Sequence, residues 1–327
     1  MAINLRSPYY IGTTYTNTAY TTLNISIWDG NYTSPVTAQY SLRKSAIGSS
    51  VDVFFEISEL IKDYIDITFN GDYAGQTVWV NTVRNAYDSN NNVINSTPIT
   101  GTQLAFDGYS YFEEVQAATP PVLISNRELF VLDDNTFRVP IYTLTNPVVT
   151  FFKDGEVIAS ETFSSSSESA NQIKYVSIYG DDTNYDTFQE RVIEAGGSYE
   201  LNNCLKSFFD NFSIGAVDKI TVSDSNGIET IKVNVIEECK YEPKKVTFIN
   251  KFGALQDMYF FKKAVEQMTI EKESYKSNII SAYGQYSKSN HVNRDFNVVG
   301  KESITLSSGF LSEEYNEVFK QMMLSEK

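Results

Sequence analysis

Proton-transfer chemistry near neutral pH leans on histidine, and this chain of 327 residues has one, His291. Any Ser-His-Asp or Cys-His arrangement would have to be built around it. It lies in Ser287-Lys288-Ser289-Asn290-His291-Val292-Asn293-Arg294, a polar stretch that reads as a surface loop, so no catalytic role is assigned to it. A zinc site wants four closely spaced nitrogen or sulfur ligands, and only His291, Cys204 and Cys239 could supply them. Asp88-x-Asn90-x-Asn92 and Asp182-x-Asn184-x-Asp186 space their oxygens as calcium loops begin. Both lack glycine at the sixth position and an acid at the twelfth, and they read as turns. Ala195-Gly196-Gly197 lacks the spacing and the lysine of a phosphate loop.

Acidic pairs occur at Glu113-Glu114, Asp133-Asp134, Asp181-Asp182, Glu237-Glu238 and Glu313-Glu314. Two carboxylates across a sugar-sized gap suffice for glycoside hydrolysis. Adjacent acids on a strand point to opposite faces, however, so these pairs do not form acid–base couples by themselves. The expectation is a protein that is not an enzyme and has no catalytic residue, cofactor or metal. A carbohydrate-active enzyme using two distant acids is the remote alternative.

Aromatic residues are the conspicuous surplus, with 22 Tyr and 21 Phe. Tyr9, Tyr10, Tyr15, Tyr20, Tyr32, Tyr109 and Tyr111 sit in polar surroundings, where a rigid ring with one polar handle suits a wet interface. Protein contact is the first reading of these tyrosines, and a glycan- or receptor-binding adhesin is the second.

Charge narrows the partners. There are 26 Lys and Arg against 41 Asp and Glu, a net charge of -15. Nucleic acid is disfavoured as a partner, because phosphate binding needs a basic cluster. The best one, Lys240, Lys244, Lys245 and Lys251, is diluted by Glu238 and Glu242. No stretch approaches the ~20 apolar residues of a membrane span, so no membrane partner is expected. Met1 to Arg6 has no secretory apolar run and the two cysteines are far apart, which reads as cytosolic synthesis with reduced thiols. The Asn-x-Ser/Thr sites at Asn24, Asn31, Asn95 and Asn211 then read as products of composition.

The elements that would position these groups are mostly strands. Thr22 to Trp28 alternates Leu23, Ile25 and Ile27 with polar residues and breaks at Asp29-Gly30, a hairpin signal. Further strands are expected at 39–42, 51–55 and 77–82. Ile57, Leu60, Ile61, Tyr64 and Ile65 follow one helical face, with Ser58 as the cap. Residues 88–100 read as a long loop or hairpin tip, and Pro120-Pro121 as a domain boundary. In the second segment, hairpins are expected around Asp154-Gly155 and Asp224-Ser225-Asn226-Gly227, and 164–169 is a polar loop. The two Asp-Gly hairpins, at 29–30 and 154–155, hint that the first two domains share an architecture. In the last segment, strands are expected at 245–250, 258–262 and 265–271. A terminal helix starting at Ser312 carries an apolar stripe of Tyr315, Val318, Phe319, Met322 and Met323. Its stripe is to be buried internally or against a neighbour.

The expected fold class is mainly β: tandem immunoglobulin-like β-sandwich domains with a small α+β C-terminal domain. The domains are 1–120, an N-terminal arm plus a β-sandwich with one short helix; 121–239, a second β-sandwich; and 240–327, an α+β assembly domain with the terminal helix.

Two stretches carry a family resemblance. Asn4-Leu5-Arg6-Ser7-Pro8-Tyr9-Tyr10, followed by the Ile57 to Tyr64 segment, resembles virion proteins of tailed bacteriophages that begin with an extended arm and a β-sandwich. Phe248-Ile249-Asn250-Lys251-Phe252-Gly253-Ala254, with Met258 to Lys262 behind it, is similar to a Phe-x-Asn-x-x-Gly strand pair of tail-associated proteins. The resemblance implies a structural component of the virion, in the tail, neck or baseplate, that forms a homo-oligomeric ring or collar and binds other virion structural proteins. The interface candidates are Tyr9, Tyr10 and Tyr15 in an arm over 1–18, and Tyr315, Phe319, Met322 and Met323 on the terminal helix. On this reading the arm is dispensable for folding and needed for assembly.

Overall fold

The structure, a computed structural model, describes residues 2–33, 37–47, 52–67, 69, 77–111, 119–132, 136–165, 170–179, 212–215, 217–280, 283–285, 289 and 291–325. It is mainly β, with several sheets and two short α-helices among the described residues. The first sheet has the order β1 (Ile3–Asn4), β7 (Ile99–Phe106), β6 (Thr77–Tyr87), β3 (Tyr20–Trp28) and β4 (Tyr40–Ser45). A two-stranded sheet of β2 (Tyr10–Thr14) and β5 (Asp52–Glu56) covers one of its faces, together with α1 (Ser58–Lys62). The core between them follows from period-two alternation. Leu23, Ile25 and Ile27 of β3, Val78 and Val80 of β6 and Ala105 of β7 meet Ile11, Val53, Phe55, Ile57 and Ile61.

A second five-stranded sheet has the order β11 (Glu156–Thr162), β10 (Val148–Lys153), β14 (Lys219–Asp224), β15 (Gly227–Ile236) and β8 (Glu128–Leu132). Beside it lie β13 (Phe212–Gly215), β12 (Ile173–Tyr179) and β9 (Thr136–Tyr142) as a three-stranded sheet. The Asp154-Gly155 hairpin closes as expected: Lys153 pairs with Glu156, and both turn residues have positive φ, 52° and 87°, as a type I′ turn requires. Asp224 likewise pairs with Gly227.

The chain divides into two compact units. One comprises Met1–Glu237, Val246–Met258 and Ser312–Lys327; the other comprises Glu238–Lys245 and Tyr259–Leu311. The expected boundaries at 120/121 and 239/240 separate the strands of different sheets, but the compact units cut across them. The physical reason is a shared core. Trp28, Trp79, Leu104 and Phe106 turn from the first sheet toward Leu123, Tyr142, Ile173 and Tyr175, with Ile249, Ala254 and Leu255 packed among them. Residues 246–258 belong to that core, contributed in part by β16 (Lys244–Ile249) and β17 (Leu255–Phe260), which pair as two strands.

Three local expectations need correction. Asp29-Gly30 makes no tight hairpin; β3 pairs with β4 through a long connection in which Ile25 is the last residue paired, with Tyr40. The backbone there has other partners: the Asp29 carbonyl accepts from Ala170 N–H at 2.8 Å, and the Trp79 and Trp28 indoles donate to the carbonyls of Gly30 and Asn31. The hint of a shared hairpin between the first two segments therefore goes. Ser58 is not the helix cap: its backbone N–H and its hydroxyl both donate to Oε1 of Glu56, which precedes the helix.

The largest correction concerns residues 1–18. They are no arm. β1 runs parallel to β7, β2 pairs along β5, and Ile3, Leu5 and Ile11 are buried. Each such side chain is worth about 1.5–3 kcal/mol of burial, so together they rival the whole stability of an ordinary domain, about 5–15 kcal/mol. Deleting residues 1–18 is expected to abolish cooperative urea unfolding. A deletion variant that melts as sharply as the full chain would contradict this placement.

Candidate interaction surfaces

The two stretches that carried the family resemblance meet at one internal joint. In the turn between β16 and β17, Asn250 is fully buried and saturates its neighbours. Its Nδ2 donates to the Leu123 carbonyl at 2.6 Å and to Gln256 Oε1 at 3.1 Å. Its Oδ1 accepts from the N–H groups of Phe252, at 2.9 Å, and Ala254, at 3.2 Å. Gly253 holds φ at 72°, and a Cβ there would stand 2.8 Å from backbone atoms of Asp107 and Gly108. Gly108 is constrained in turn, because its Cβ would lie 2.7 Å from the Lys251 carbonyl oxygen. From the other side, Arg6 donates through Nε to the Asp107 carbonyl at 2.9 Å and through a terminal nitrogen to the Asn250 carbonyl at 2.6 Å. The Tyr109 N–H closes the circuit on the Lys251 carbonyl at 2.8 Å. The Phe-x-Asn-x-x-Gly signature is therefore a device for packing backbone against backbone.

The terminal helix α2 (Tyr315–Met323) docks in the same unit through polar contacts at matched positions. The Tyr315 hydroxyl donates to the Glu128 carbonyl at 2.8 Å, and Gln321 donates to Ser125 Oγ at 2.6 Å and accepts from Lys251 N–H at 3.3 Å. Glu317 accepts from the Tyr111 hydroxyl at 2.7 Å and from Gln321 at 3.0 Å. Burial alone would raise the Glu317 pKa, but these hydrogen bonds and the Lys320 and Lys251 charges outweigh it, so it lies below the ordinary 4.5. Of the helix candidates, Tyr315 is buried, Phe319 and Met322 are half-buried, and Met323 is exposed. Of the others, Tyr9 is half-buried, with its hydroxyl on Gln103, Tyr15 is half-buried, and Tyr10 is 62% exposed. Of the seven, Tyr10 and Met323 stand exposed and the other five are buried or half-buried.

Of the aromatics in the first sheet, Trp28 is buried. Tyr20 and Tyr87 stack on each other at 4.7 Å, and the Arg43 guanidinium covers Tyr20 at 3.8 Å. The tip at residues 88–98 is organised by Asp88, which accepts the N–H groups of Asn90 and Asn92, each at 2.8 Å, and the Asn92 side chain. Those bonds, that of the Asn92 backbone foremost, lower its pKa. Asn95 is buried, its amide oxygen accepting the Ala86 N–H. His291 is exposed and Cys239 is a free, exposed thiol. Among the described residues, no three of His, Cys, Asp and Glu gather where they could hold a metal. Nor is any described helix long and apolar enough to cross a membrane. Asp182 to Asp186, Ala195-Gly196-Gly197, Cys204, the acidic pairs at 113–114, 133–134 and 181–182, and most of the 164–169 loop lie outside the described residues.

The feature that sequence reading missed is in the second unit. β18 (Val265–Lys276) and β19 (Asn293–Thr305) form a two-stranded ribbon in which every residue is exposed. The sequence showed only the start of β18, because alternation there sets no polar face against an apolar one. Met268, Ile270, Val298, Val299 and Ile304 are each about half exposed or more. Glu238 accepts from Lys262 at 2.9 Å near the ribbon's start, and that bond, then the Lys240 N–H, holds its pKa low.

No family model matches this chain, and no curated protein is similar to it. Among solved structures it aligns with one described as "Biofilm associated protein - BSP domain", at a TM-score of 0.19 and 10% identity, over 93% of this chain and 61% of that one. At that level neither fold nor role transfers.

Two outcomes test the joint and the helix. Asn250→Ala strands the buried partners of its side chain, each loss being worth about 1–3 kcal/mol. Urea unfolding should show a loss of about 3 kcal/mol or more; a loss under about 1 kcal/mol would contradict the joint. For the helix, a carboxylate with a lowered folded-state pKa stabilises above the unfolded value, and that stabilisation disappears as pH falls through the folded one. Protease cleavage within α2 should therefore rise below pH 4.5, and Glu317→Gln should remove that acid-induced rise.

Proposed function

We propose that this chain is an assembly protein that works by holding other proteins rather than by turnover, placed in a tailed-phage virion as a tail, neck or baseplate component. The observation that carries the reading is the ribbon. An isolated two-stranded hairpin is marginal in water, and unpaired strand edges with exposed apolar side chains are normally covered or blunted. A fully exposed ribbon of this length is suited to being completed by another chain. Its exposed apolar residues, Met268, Ile270, Val299 and Ile304 among them, are the kind that protein contacts bury. The virion placement draws on the resemblance of the Asn4 to Tyr10 and Phe248 to Ala254 stretches. A ring or collar is the form that the resemblance implies.

The test is made on native particles. Mass spectrometry of purified virions should find this polypeptide at a fixed copy number. Lysine-reactive cross-linking should join Lys272, Lys276 or Lys301 of the ribbon to other structural proteins or to further copies. Infectious particles that lack the polypeptide would overturn the reading.

A further inference from the structure

We infer that the open edge of β18 is completed by β18 of a second copy of this chain, antiparallel, with Thr269 on the twofold axis. This rests on the assembly reading and names the partner.

The two edges of the ribbon are not alike. β19 is interrupted by a bulge: Glu271 pairs with Val299 and Glu273 with Phe296, so Asn297 and Val298 both fall opposite Lys272, and Asn297 takes a φ of 49°. A bulge disrupts the outer hydrogen-bonding row and blunts the edge. β18 has no such interruption on its own strand over Val265–Lys276, and among the described strands its only neighbour is β19. The unblunted edge is β18.

Charge selects the occupant. Most of the chain would repel a second copy, since its net charge is -15. The ribbon strands carry Lys272, Lys276, Arg294 and Lys301 against Glu266, Glu271, Glu273, Asp295 and Glu302, four positive charges less five negative, or -1. This is a surface on which a like-charged copy can land.

The order of residues then fixes the register. Alternation places Glu266, Met268, Ile270 and Lys272 on one face, the face on which Lys272 meets Asp295 at 2.8 Å. With the twofold axis at Thr269, Glu266 lies opposite Lys272 of the second copy and Met268 opposite its Ile270. The two copies thus bring together Met268, Ile270 and their counterparts as an apolar patch, closed at each end by an ion pair. Met268 and Ile270 are 58% and 59% exposed in the single chain. On the other face Thr269 meets itself and Gln267 meets Glu271. The neighbouring registers are worse: an axis at Met268 sets Glu266 against the apolar Ile270, and one at Ile270 sets Lys272 against the apolar Met268, and neither forms the ion pairs. Strand pairing over residues 265–273 alone buries less than the ~1,200–2,000 Å² of a standard interface, so the dimer should be concentration-dependent.

Sedimentation velocity on the full chain, up to about 100 µM, tests this. The wild-type protein should pass from monomer to dimer. Glu266→Lys and Lys272→Glu should each weaken dimerisation on the order of tenfold, and the double exchange should restore most of it. In a background with Cys204→Ser and Cys239→Ser, Thr269→Cys should cross-link two copies on mild oxidation, since opposed Cα atoms lie about 4.5–5.5 Å apart, within the range a disulfide spans. Gln267→Cys, which faces Glu271, should not. A wild-type chain that stays monomeric, single exchanges without effect, or cross-linking no faster at 269 than at 267 would each overturn the proposal. The assembly reading would survive these failures, because its test on native particles does not depend on which chain completes the edge.

Discussion

The architecture of the larger unit depends on one buried amide. Asn250 is buried away from bulk solvent, so the polar atoms of its side chain depend on protein partners, and unmet buried polar groups cost more than met ones gain. It finds them in three directions: the carbonyl of Leu123, the side chain of Gln256 and the N–H groups of its own turn. This ties a turn late in the chain to the start of the second segment. Arg6 adds the N-terminus by donating to the Asn250 carbonyl and to that of Asp107. Four remote stretches are thereby held at one point, and glycines at 108 and 253 let their backbones approach closely.

The apolar cores follow this polar key. Sheet faces that would otherwise be solvated carry Trp28, Trp79, Leu104 and Phe106 because the 249–255 hairpin and the Leu123 to Tyr175 region cover them. The terminal helix is recruited to the same neighbourhood by Gln321, which bonds Ser125 and the Lys251 N–H. The first 237 residues and two later pieces therefore form one compact unit, although their strands belong to separate sheets. The second unit is a contrast: its ribbon exposes both faces and has no comparable buried network among the described residues.

Elements with a local cause were legible in the sequence. The Asp154-Gly155 turn, the alternation of Leu23, Ile25 and Ile27, and the helical spacing of Ile57 and Ile61 each encode their structure within a few residues. What escaped was non-local. Nothing near Ile3 or Leu5 announces that β7 lies beside them, so residues 1–18 read as an arm. Nothing near Asp29-Gly30 announces Ala170. The helix cap was misplaced by one residue: Ile57, which has no side-chain capping bond, holds that position, and Glu56 takes the Ser58 N–H. Of the interface candidates, Tyr10 and Met323 stand exposed, whereas the Tyr315 hydroxyl is bonded internally to the Glu128 carbonyl. The ribbon was half seen, because its partner strand begins beyond a polar stretch that read simply as loop.

The division of labour is thus between a keyed scaffold and an open ribbon. The scaffold half of that statement is the part on which the other rests, since residues of both resembling motifs are taken up by the internal joint. Native-state hydrogen exchange addresses it most directly. If one polar key unites the larger unit, the amides of Tyr109, Phe252 and Ala254 should exchange only through global unfolding, with the same free energy as the amides of Val80 in β6 and Val222 in β14. Exchange of the joint amides at a clearly lower free energy, with both sheets still protected, would contradict the account.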